Sequence, residues 1–450
     1  PAHTVTAQAP VITYLHCISN KLTALDVTKA PSLTYLQCYD NKLTALDVRQ
    51  NTAATYLNCA INQLTELDVS QNTAATYLNC DNNKLTALDV RQNTALRTLN
   101  CGSNKLSALD VRQNTALRTL NCFSNLLTAL DVRQNTALTS LQCYANPLGT
   151  LDVTKNTALT LLNCDINQLS ALDVTQNTAL TQLYCSNNKL SSLNVTQNTL
   201  LTRLQCYSNQ LSSLDVMQNT KLTQLLCYAN KLLALDVTKN TLLTNLQCYT
   251  NQLSVLDVTK APALNLLYCN DNQLLALVVT QNPLLTQLSC GRNKLTELDV
   301  SANPLLTDLL CYGNQLPDLD VSSNPALTQL QCHSNLLTAL SVSSNPLLKI
   351  LYCNNNQLPA LDITQNTALV QLQCQVNLLT ALSISSSALN FLNVASNLFD
   401  AAALDALFVT LPTGNGEIWF AHNPRSGAPG AGSGTAGCNQ SLIPVGWTVY

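Results

Sequence analysis

Eighteen cysteines recur at a constant spacing of 21 residues, and thiols in such a pattern could form disulfides, bind zinc or act as nucleophiles. The row runs from Cys17 to Cys374, and Cys438 lies outside it. Stacked strands lie about 4.8 Å apart, which suits a disulfide, but in-register parallel side chains point alike rather than at each other. Like-directed thiols do not close a zinc tetrahedron either. We therefore predict reduced, buried cysteines with a structural role, for example Cys101 and Cys185.

Other catalytic chemistry has little support in the sequence. The four histidines have no recurring partner, and no glycine-rich phosphate loop or metal-ligand cluster is present. The net charge is -3 and only 10% of residues are charged, so no basic field attracts nucleic acid or an anionic membrane. No apolar run reaches the roughly 18 residues of a membrane span. We predict no enzymatic activity, no cofactor, no nucleic-acid partner and no membrane insertion.

Aspartate lies nine positions after the cysteine in 14 of the 18 repeat units, which we call coils. Carboxylates stacked about 4.8 Å apart repel by roughly 1 kcal/mol per pair in water. Solvent and a neighbouring column that includes Arg49 and Arg91 can offset this repulsion, and we favour that interpretation. The alternative is a line of calcium sites, because paired carboxylates suit a hard cation. Its ligands would be Asp47, Asp68, Asp89, Asp110 and Asp131.

Tyrosine forms further outward columns on the cysteine side of the coils. One column lies three residues before the cysteine, one directly before it and one directly after it. Exposed tyrosine among amides offers flat apolar contact with hydrogen bonding, which suits a sugar or a protein loop. A stacking ladder that only stabilises the sheet is the alternative. The candidate binding residues are Tyr35, Tyr56, Tyr77, Tyr207, Tyr228, Tyr249, Tyr268 and Tyr312.

The element that must position these columns is a coil of two similar halves. Residues 85–105 read LTALDVRQNTALRTLNCGSNK, in which LxxLxLxxN occurs twice with Val or Cys in the third apolar position. Apolar and polar residues alternate in Leu-Asp-Val and Leu-Asn-Cys, as in a half-buried strand. Inward asparagines such as Asn93 and Asn104 can satisfy backbone groups at the turns. We predict an all-β-rich repeat solenoid of about 18 coils, with two short parallel strands per coil and a sheet on each side.

The ends of the chain depart from the repeat. We expect an irregular leader at 1–10, a solenoid at 11–397 and a C-terminal α/β cap at 398–450. The cap should contain a helix, strands and a Gly-rich loop at 423–437. The first coil begins at Val11 without a cap, so we expect a bare strand edge there.

These motifs resemble the leucine-rich repeat superfamily, and the doubled LxxLxLxxN of 21 residues is similar to the bacterial IRREKO class. Phrases such as LTALDVSxNTALTxLxC resemble those of secreted and surface leucine-rich repeat proteins of Bacteroidetes. The resemblance implies a recognition scaffold outside the cell or on the bacterial cell surface. It supplies no catalytic residues.

The leading hypothesis is a noncatalytic recognition or adhesion module that presents its sheet to a protein or polysaccharide. The alternative is a structural subunit that self-assembles into a fibre, sheath or surface layer through the uncapped first coil.

Overall fold

The computed structural model describes residues 4–6, 11–423 and 438–450, and the chain forms two compact units, residues 1–222 and 223–450. In both units a coil contributes one three-residue strand that ends directly before the ladder cysteine. The strands of the first unit are β1 Thr4–Thr6, β2 Tyr14–His16, β3 Ala24–Asp26, β4 Tyr35–Gln37, β5 Tyr56–Asn58, β6 Tyr77–Asn79, β7 Thr98–Asn100, β8 Thr119–Asn121, β9 Ser140–Gln142, β10 Leu161–Asn163, β11 Gln182–Tyr184 and β12 Arg203–Gln205.

The second unit repeats this arrangement and adds a helix near its end. Its α-helix is α1 Ala401–Phe408, and a short 3-10 helix covers Gln440–Leu442. Its strands are β13 Gln224–Leu226, β14 Asn245–Gln247, β15 Leu266–Tyr268, β16 Gln287–Ser289, β17 Asp308–Leu310, β18 Gln329–Gln331, β19 Ile350–Tyr352, β20 Gln371–Gln373, β21 Phe391–Asn393, β22 Gly416–Trp419 and β23 Trp447–Val449. Neither helix of the described residues has the length and apolarity that crossing a membrane requires.

Within each unit, strands of successive coils pair in parallel and in exact register. Leu36 pairs with Leu57 in the first unit, and Leu267 pairs with Leu288 in the second. The central leucine of each strand points inward while the residues on either side point outward, because side chains alternate along a strand. The predicted solenoid of about 18 parallel coils with almost no helix is confirmed.

The opposite side of the coil differs from the expected second sheet. Among the described residues, a strand forms there only at Ala24–Asp26, which pairs with Thr4–Thr6. That partner lies in the leader, which we expected to be irregular. In later coils the Val48 carbonyl, for example, accepts from its own turn at Asn51 N (3.0 Å) and from the Asn72 side chain (2.9 Å). The Val27 carbonyl, directly after the strand Ala24–Asp26, accepts from the same two kinds of donor, Ala30 N and the Asn51 side chain. Among the described residues, the second strand therefore forms where Thr4–Thr6 supplies a pairing partner.

Leucine, valine, cysteine and asparagine columns fill the interior. The Asn93 side chain donates to the carbonyls of Val69 (2.8 Å) and Asn72 (2.9 Å) in earlier coils. Asn104 accepts from the backbone N–H of Leu85 at 3.0 Å and donates to the Cys80 carbonyl at 3.0 Å. Each asparagine row therefore ties adjacent coils together at a turn that would otherwise leave buried backbone groups unpaired.

The turn after each cysteine holds one residue in a left-handed conformation. Its φ is 49° at Ser103 and 64° at Gly313. The following asparagine imposes this geometry, because its amide donates back to the two carbonyls that precede the left-handed residue. Even the β-branched residues Ile61, Ile166 and Val376 adopt it, with φ of 51°, 53° and 56°. The turn thus overrides the residue preference at these positions.

The C-terminal segment closes the second unit with a helix and two further strands. The Asp400 carboxylate accepts from Ala403 N at 2.8 Å and caps α1, which buries Leu404, Leu407 and Phe408. β22 pairs with β21, and β23 pairs with β22. Asn423, placed by our prediction in the Gly-rich loop, is buried and accepts from Asn397 N at 2.9 Å. The rest of that loop lies outside the described residues, and the boundaries 11–397 and 398–450 stay predictions.

Candidate functional site

We define the strand face as the outward residues of each strand together with the residue after the cysteine. In one coil these are Thr98, Asn100 and Gly102. The aspartate face is the exposed side of the opposite half, which in the same coil carries Ser107, Ala108, Asp110 and Arg112.

The tyrosine column of the first coils is a continuous ring stack on the strand face. Ring centroids are 4.2 Å apart for Tyr14 and Tyr35, 4.3 Å for Tyr35 and Tyr56, and 4.2 Å for Tyr56 and Tyr77. Loss of solvent, followed by the hydrogen bond to Tyr14, raises the pKa of Tyr35. The structure therefore brings Tyr35, Tyr56 and Tyr77 together with most of their ring faces against each other. This is the geometry of a stabilising ladder, and it leaves mainly ring edges and hydroxyls for a ligand.

Rings in the column after the cysteine also stack in pairs. The ring centroids of Tyr228 and Tyr249 lie 4.3 Å apart, and those of Tyr312 and His333 lie 4.8 Å apart. A Cβ atom at Gly291 would be 2.7 Å from the Tyr312 ring, so that ring lies over the backbone of the preceding coil. The Tyr312 ring uses the space that a side chain at position 291 would occupy. The predicted residues Tyr207, Tyr228, Tyr249 and Tyr312 are all half-buried in this way.

A groove of about 400 Å³ on the strand face of the second unit contains two of the predicted tyrosines. We call it the Tyr268 groove. The Tyr268 hydroxyl donates to Gln287 Oε1 at 2.6 Å, and the Ser289 hydroxyl donates to Asn270 Oδ1 at 3.1 Å. Burial, followed by the nearby Asp308 charge, raises the pKa of Tyr268. The polar lining of the Tyr268 groove includes Tyr249, Tyr268, Asn270, Gln287, Ser289 and Asp308.

The groove exists because one coil carries small residues where its neighbours carry large ones. Ser289 lies directly before the cysteine, between Tyr268 of the preceding coil and Leu310 of the next. Sequence reasoning identified Tyr249 and Tyr268 but missed the residues that shape the groove. The detectable signal was the local drop in side-chain size at Ser289 and Gly291, which becomes meaningful only when coils are aligned.

On the aspartate face of the first unit, arginine engages the carboxylates within the same coil. Arg49 contacts Asp47 at 2.8 Å, and Arg91 contacts Asp89 at 2.6 Å, each through two side-chain nitrogens. Arg112 and Arg133 do the same for Asp110 and Asp131. These hydrogen bonds lower the pKa of all four aspartates to about 2.

In these four coils, arginine offsets the repulsion between stacked carboxylates, which is the interpretation that we favoured over calcium binding. Four of the five candidate calcium ligands use both carboxylate oxygens on arginine, whereas Asp68 accepts from Ser70 N at 3.0 Å. Within the described part of the chain, no group of three or more His, Cys, Asp or Glu residues has metal-binding geometry. The carboxylates are thus arranged for arginine and for their own turns.

The thiols are buried in the interior as predicted. All 18 ladder cysteines are buried thiols, and Cys438 is half-buried. Burial raises the pKa of Cys59 and Cys143 to about 12, so their thiols stay protonated and are poor nucleophiles.

The His333 ring stacks against the Tyr312 ring, and burial lowers the pKa of His333.

Comparison with known proteins places this architecture in a family. No protein-family model and no curated protein sequence matches the chain. Among solved structures, it is similar to the functional domain of InlJ from Listeria monocytogenes, which is described as including a cysteine ladder. The identity is 34%, the match covers 83% of this chain and 75% of that one, and the TM-score is 0.65.

Two more distant structures share the fold. YopM from Yersinia enterocolitica is 24% identical, with 88% of both chains covered and a TM-score of 0.68. The plant peptide hormone receptor RGFR1, solved in complex with RGF2, is 18% identical, with 93% and 77% covered and a TM-score of 0.77. The fold and the buried ladders define a leucine-rich repeat solenoid. The chain belongs to the family of bacterial leucine-rich repeat proteins.

Proposed function

We propose that the chain is a noncatalytic recognition or adhesion scaffold that binds a protein or a polysaccharide through its strand face. The Tyr268 groove is the observation that carries this proposal. It is the place on the strand face where a tyrosine, amides, a hydroxyl and a carboxylate converge around about 400 Å³ of open space. A protein-binding role is in keeping with the leucine-rich repeat neighbours.

The chemistry of the groove suits a ligand with an apolar surface and several hydroxyl or amide groups. The Tyr268 ring offers an apolar surface, and Gln287 and Asn270 offer both donors and acceptors. Asp308 adds an acceptor for a hydroxyl or a cationic group. Such a mixture of one aromatic surface and a few convergent polar groups is typical of binding sites. A location outside the cell or on the bacterial surface is part of the proposal, supported by the likeness to the InlJ domain.

The groove can be tested with a closely matched pair of variants. Tyr268 and Tyr352 lie in the same column, and each hydroxyl donates to a glutamine of the next coil at 2.6 Å. We expect Tyr268→Ala to weaken binding to probes on an array of oligosaccharides and peptides by about tenfold, or 1.4 kcal/mol. Tyr352→Ala should leave that binding unchanged. Equal losses in both variants, or none in either, would contradict the assignment.

Light scattering on the same samples separates recognition from self-assembly. A recognition scaffold should keep a mass near 48.6 kDa over a hundredfold range of concentration. A mass that rises with concentration would instead support the fibre, sheath or surface-layer alternative.

A further inference from the structure

Four large apolar side chains lie exposed on the aspartate face of the second unit. The exposed fractions are 62% for Leu233, 71% for Val255, 63% for Leu275 and 52% for Val278. They belong to three consecutive coils, and Val278 stands where other coils carry aspartate. The positions equivalent to Leu233, Val255 and Leu275 in the first unit are mostly alanine, serine and threonine. We call these four residues the apolar patch.

Hydrogen bonds on both flanks hold the three coils in register. Before the patch, Gln252 N donates to the Leu232 carbonyl and Gln273 N to the Leu253 carbonyl, both at 2.9 Å. After the patch, the Asn282 side chain donates to the Val258 carbonyl at 2.9 Å. The four side chains therefore lie on the same face of three adjacent coils. Such a patch on a polar surface commonly marks a site of interaction.

The next two coils carry four carboxylates on the same face: Glu297, Asp299, Asp318 and Asp320. Hydrogen bonds from Ser301 lower the pKa of Asp299, and hydrogen bonds from Ser322 lower the pKa of Asp320. The negative charge of Asp320 acts in the opposite direction and raises the pKa of Asp299. Among the described residues, none of the four has an ion pair with lysine or arginine. An unpaired acidic cluster thus lies directly beside the apolar patch.

We propose that the apolar patch and this acidic cluster together dock a basic, amphipathic polypeptide segment of a partner protein. Apolar side chains of the segment would pack on Leu233, Val255 and Leu275, and its lysines or arginines would pair with the carboxylates. Charge complementarity identifies the partner, because four adjacent negative charges repel each other until a cationic partner arrives. This surface is separate from the strand face and does not depend on the Tyr268 groove.

The apolar patch and the acidic cluster together have the length of a short polypeptide segment. Five coils at about 4.8 Å per coil span about 20 Å, which equals about six residues of extended chain or about 13 residues of helix. A metal ion would leave the apolar patch uncovered, and the described residues contain no group of three or more His, Cys, Asp or Glu residues that could hold one.

The test uses the full chain and two labelled peptides of 14 residues. One peptide has leucines in its first half and lysines in its second, and the other has glutamates in place of the lysines. Fluorescence anisotropy is measured in low and high salt. The apolar variant is Leu233→Thr with Val255→Ala and Leu275→Thr, and the acidic variant is Glu297→Ala with Asp318→Ala. Each new residue occurs at the same position in other coils, so the fold should tolerate it.

We expect the lysine peptide to bind the unaltered chain, with at least tenfold weaker binding in both variants and in high salt. Glu66→Ala, at the position equivalent to Glu297 in the first unit, is the matched control and should change nothing. The proposal is overturned if the lysine peptide does not bind, if the glutamate peptide binds equally well, or if Glu66→Ala weakens binding as much. Self-association that disappears in the apolar variant would assign the patch to a second copy of the chain and would also overturn it.

Discussion

On the aspartate face, four coils of the first unit carry an arginine two residues after the aspartate, and the coils of the second unit carry serine or threonine there. In those four coils of the first unit the carboxylates are consequently paired, as Asp89 is with Arg91. In the second unit Asp299 and Asp320 have only serine partners and lie beside exposed leucine and valine. The same frame thus presents a neutralised surface in one region and an apolar and acidic one in the other.

The difference shows how a repeat separates stability from recognition. Inward positions are nearly identical in both units because every coil must fit its neighbours, as in other repeat proteins. Outward positions meet solvent, so substitutions there cost little. Single-coil changes such as Ser289 on the strand face or Val278 on the aspartate face can therefore create a local site without disturbing the solenoid.

The largest expected effect comes from an inward asparagine, which should be equally important in both units. Asn125 accepts from Leu106 N at 2.9 Å and donates to the Cys101 carbonyl at 3.0 Å. Asn335 makes the equivalent bonds to Leu316 N and the Cys311 carbonyl. We expect Asn125→Ala and Asn335→Ala each to lower the free energy of unfolding by about 2–4 kcal/mol, because buried backbone groups lose their partners.

Urea unfolding of the two variants checks this expectation, and hydrogen exchange at the Leu106 and Leu316 amides localises the damage. A loss confined to one variant would show that the frame is not equivalent in the two units.

A smaller, pH-dependent effect is expected where the units differ on the strand face. Burial raises the pKa of Asp81 and Asp165 in the first unit to about 6, while the second unit carries Asn270 and Asn354 at equivalent positions. An unfolded aspartate titrates at about 3.9. Because the folded carboxyl holds its proton more tightly, its ionisation destabilises the fold as the pH rises from about 4 to above 6.

Asp81→Asn should therefore raise the free energy of unfolding by about 1 kcal/mol at pH 8, after allowance for partial exposure, and give no gain at pH 4. Urea titrations at the two pH values measure the difference. Asp89→Asn is the contrasting control. Its arginine partner lowers the pKa of Asp89 to about 2, so its ionised form is the stabilising one and the substitution should lower stability at pH 8. A gain of equal size at both pH values would contradict the role of ionisation at Asp81.

A last effect, of similar size but independent of pH, concerns the left-handed turn position, where both units tolerate strain. Ile166 and Val376 have φ of 53° and 56°, which β-branched residues adopt at a cost. We expect Ile166→Asn and Val376→Asn each to raise the melting temperature by a few degrees, equivalent to about 1 kcal/mol. The reverse change, Asn187→Ile in the coil that follows Ile166, should lower it. Thermal unfolding measures the three melting temperatures. If the changes to asparagine do not raise the melting temperature, or if Asn187→Ile does not lower it, the turn is not strained.

Much of the fold was predictable from particular residues. The spacing of Cys17 to Cys374 predicts the coil, and the alternation in Leu-Asn-Cys predicts the observed strands. The alternation in Leu-Asp-Val is equally regular, yet the second sheet does not form there. Sequence periodicity reports which side chains are buried, but it does not report whether the backbone of that half finds a strand partner. Among the described residues, that partner is present only where Thr4–Thr6 pairs with Ala24–Asp26.

By itself, the sequence determined the period, the inward columns and the residues that share each outward column, because 21-residue spacing places equivalent positions beside each other. Only the tertiary structure decided how those columns are used. It shows that the Tyr35 and Tyr56 rings stack on each other, that Tyr268 faces a groove opened by Ser289, and that Val278 lies exposed beside Glu297. The physical reason is that these features depend on the sizes and partners of side chains from different coils, which come into contact only when the coils stack.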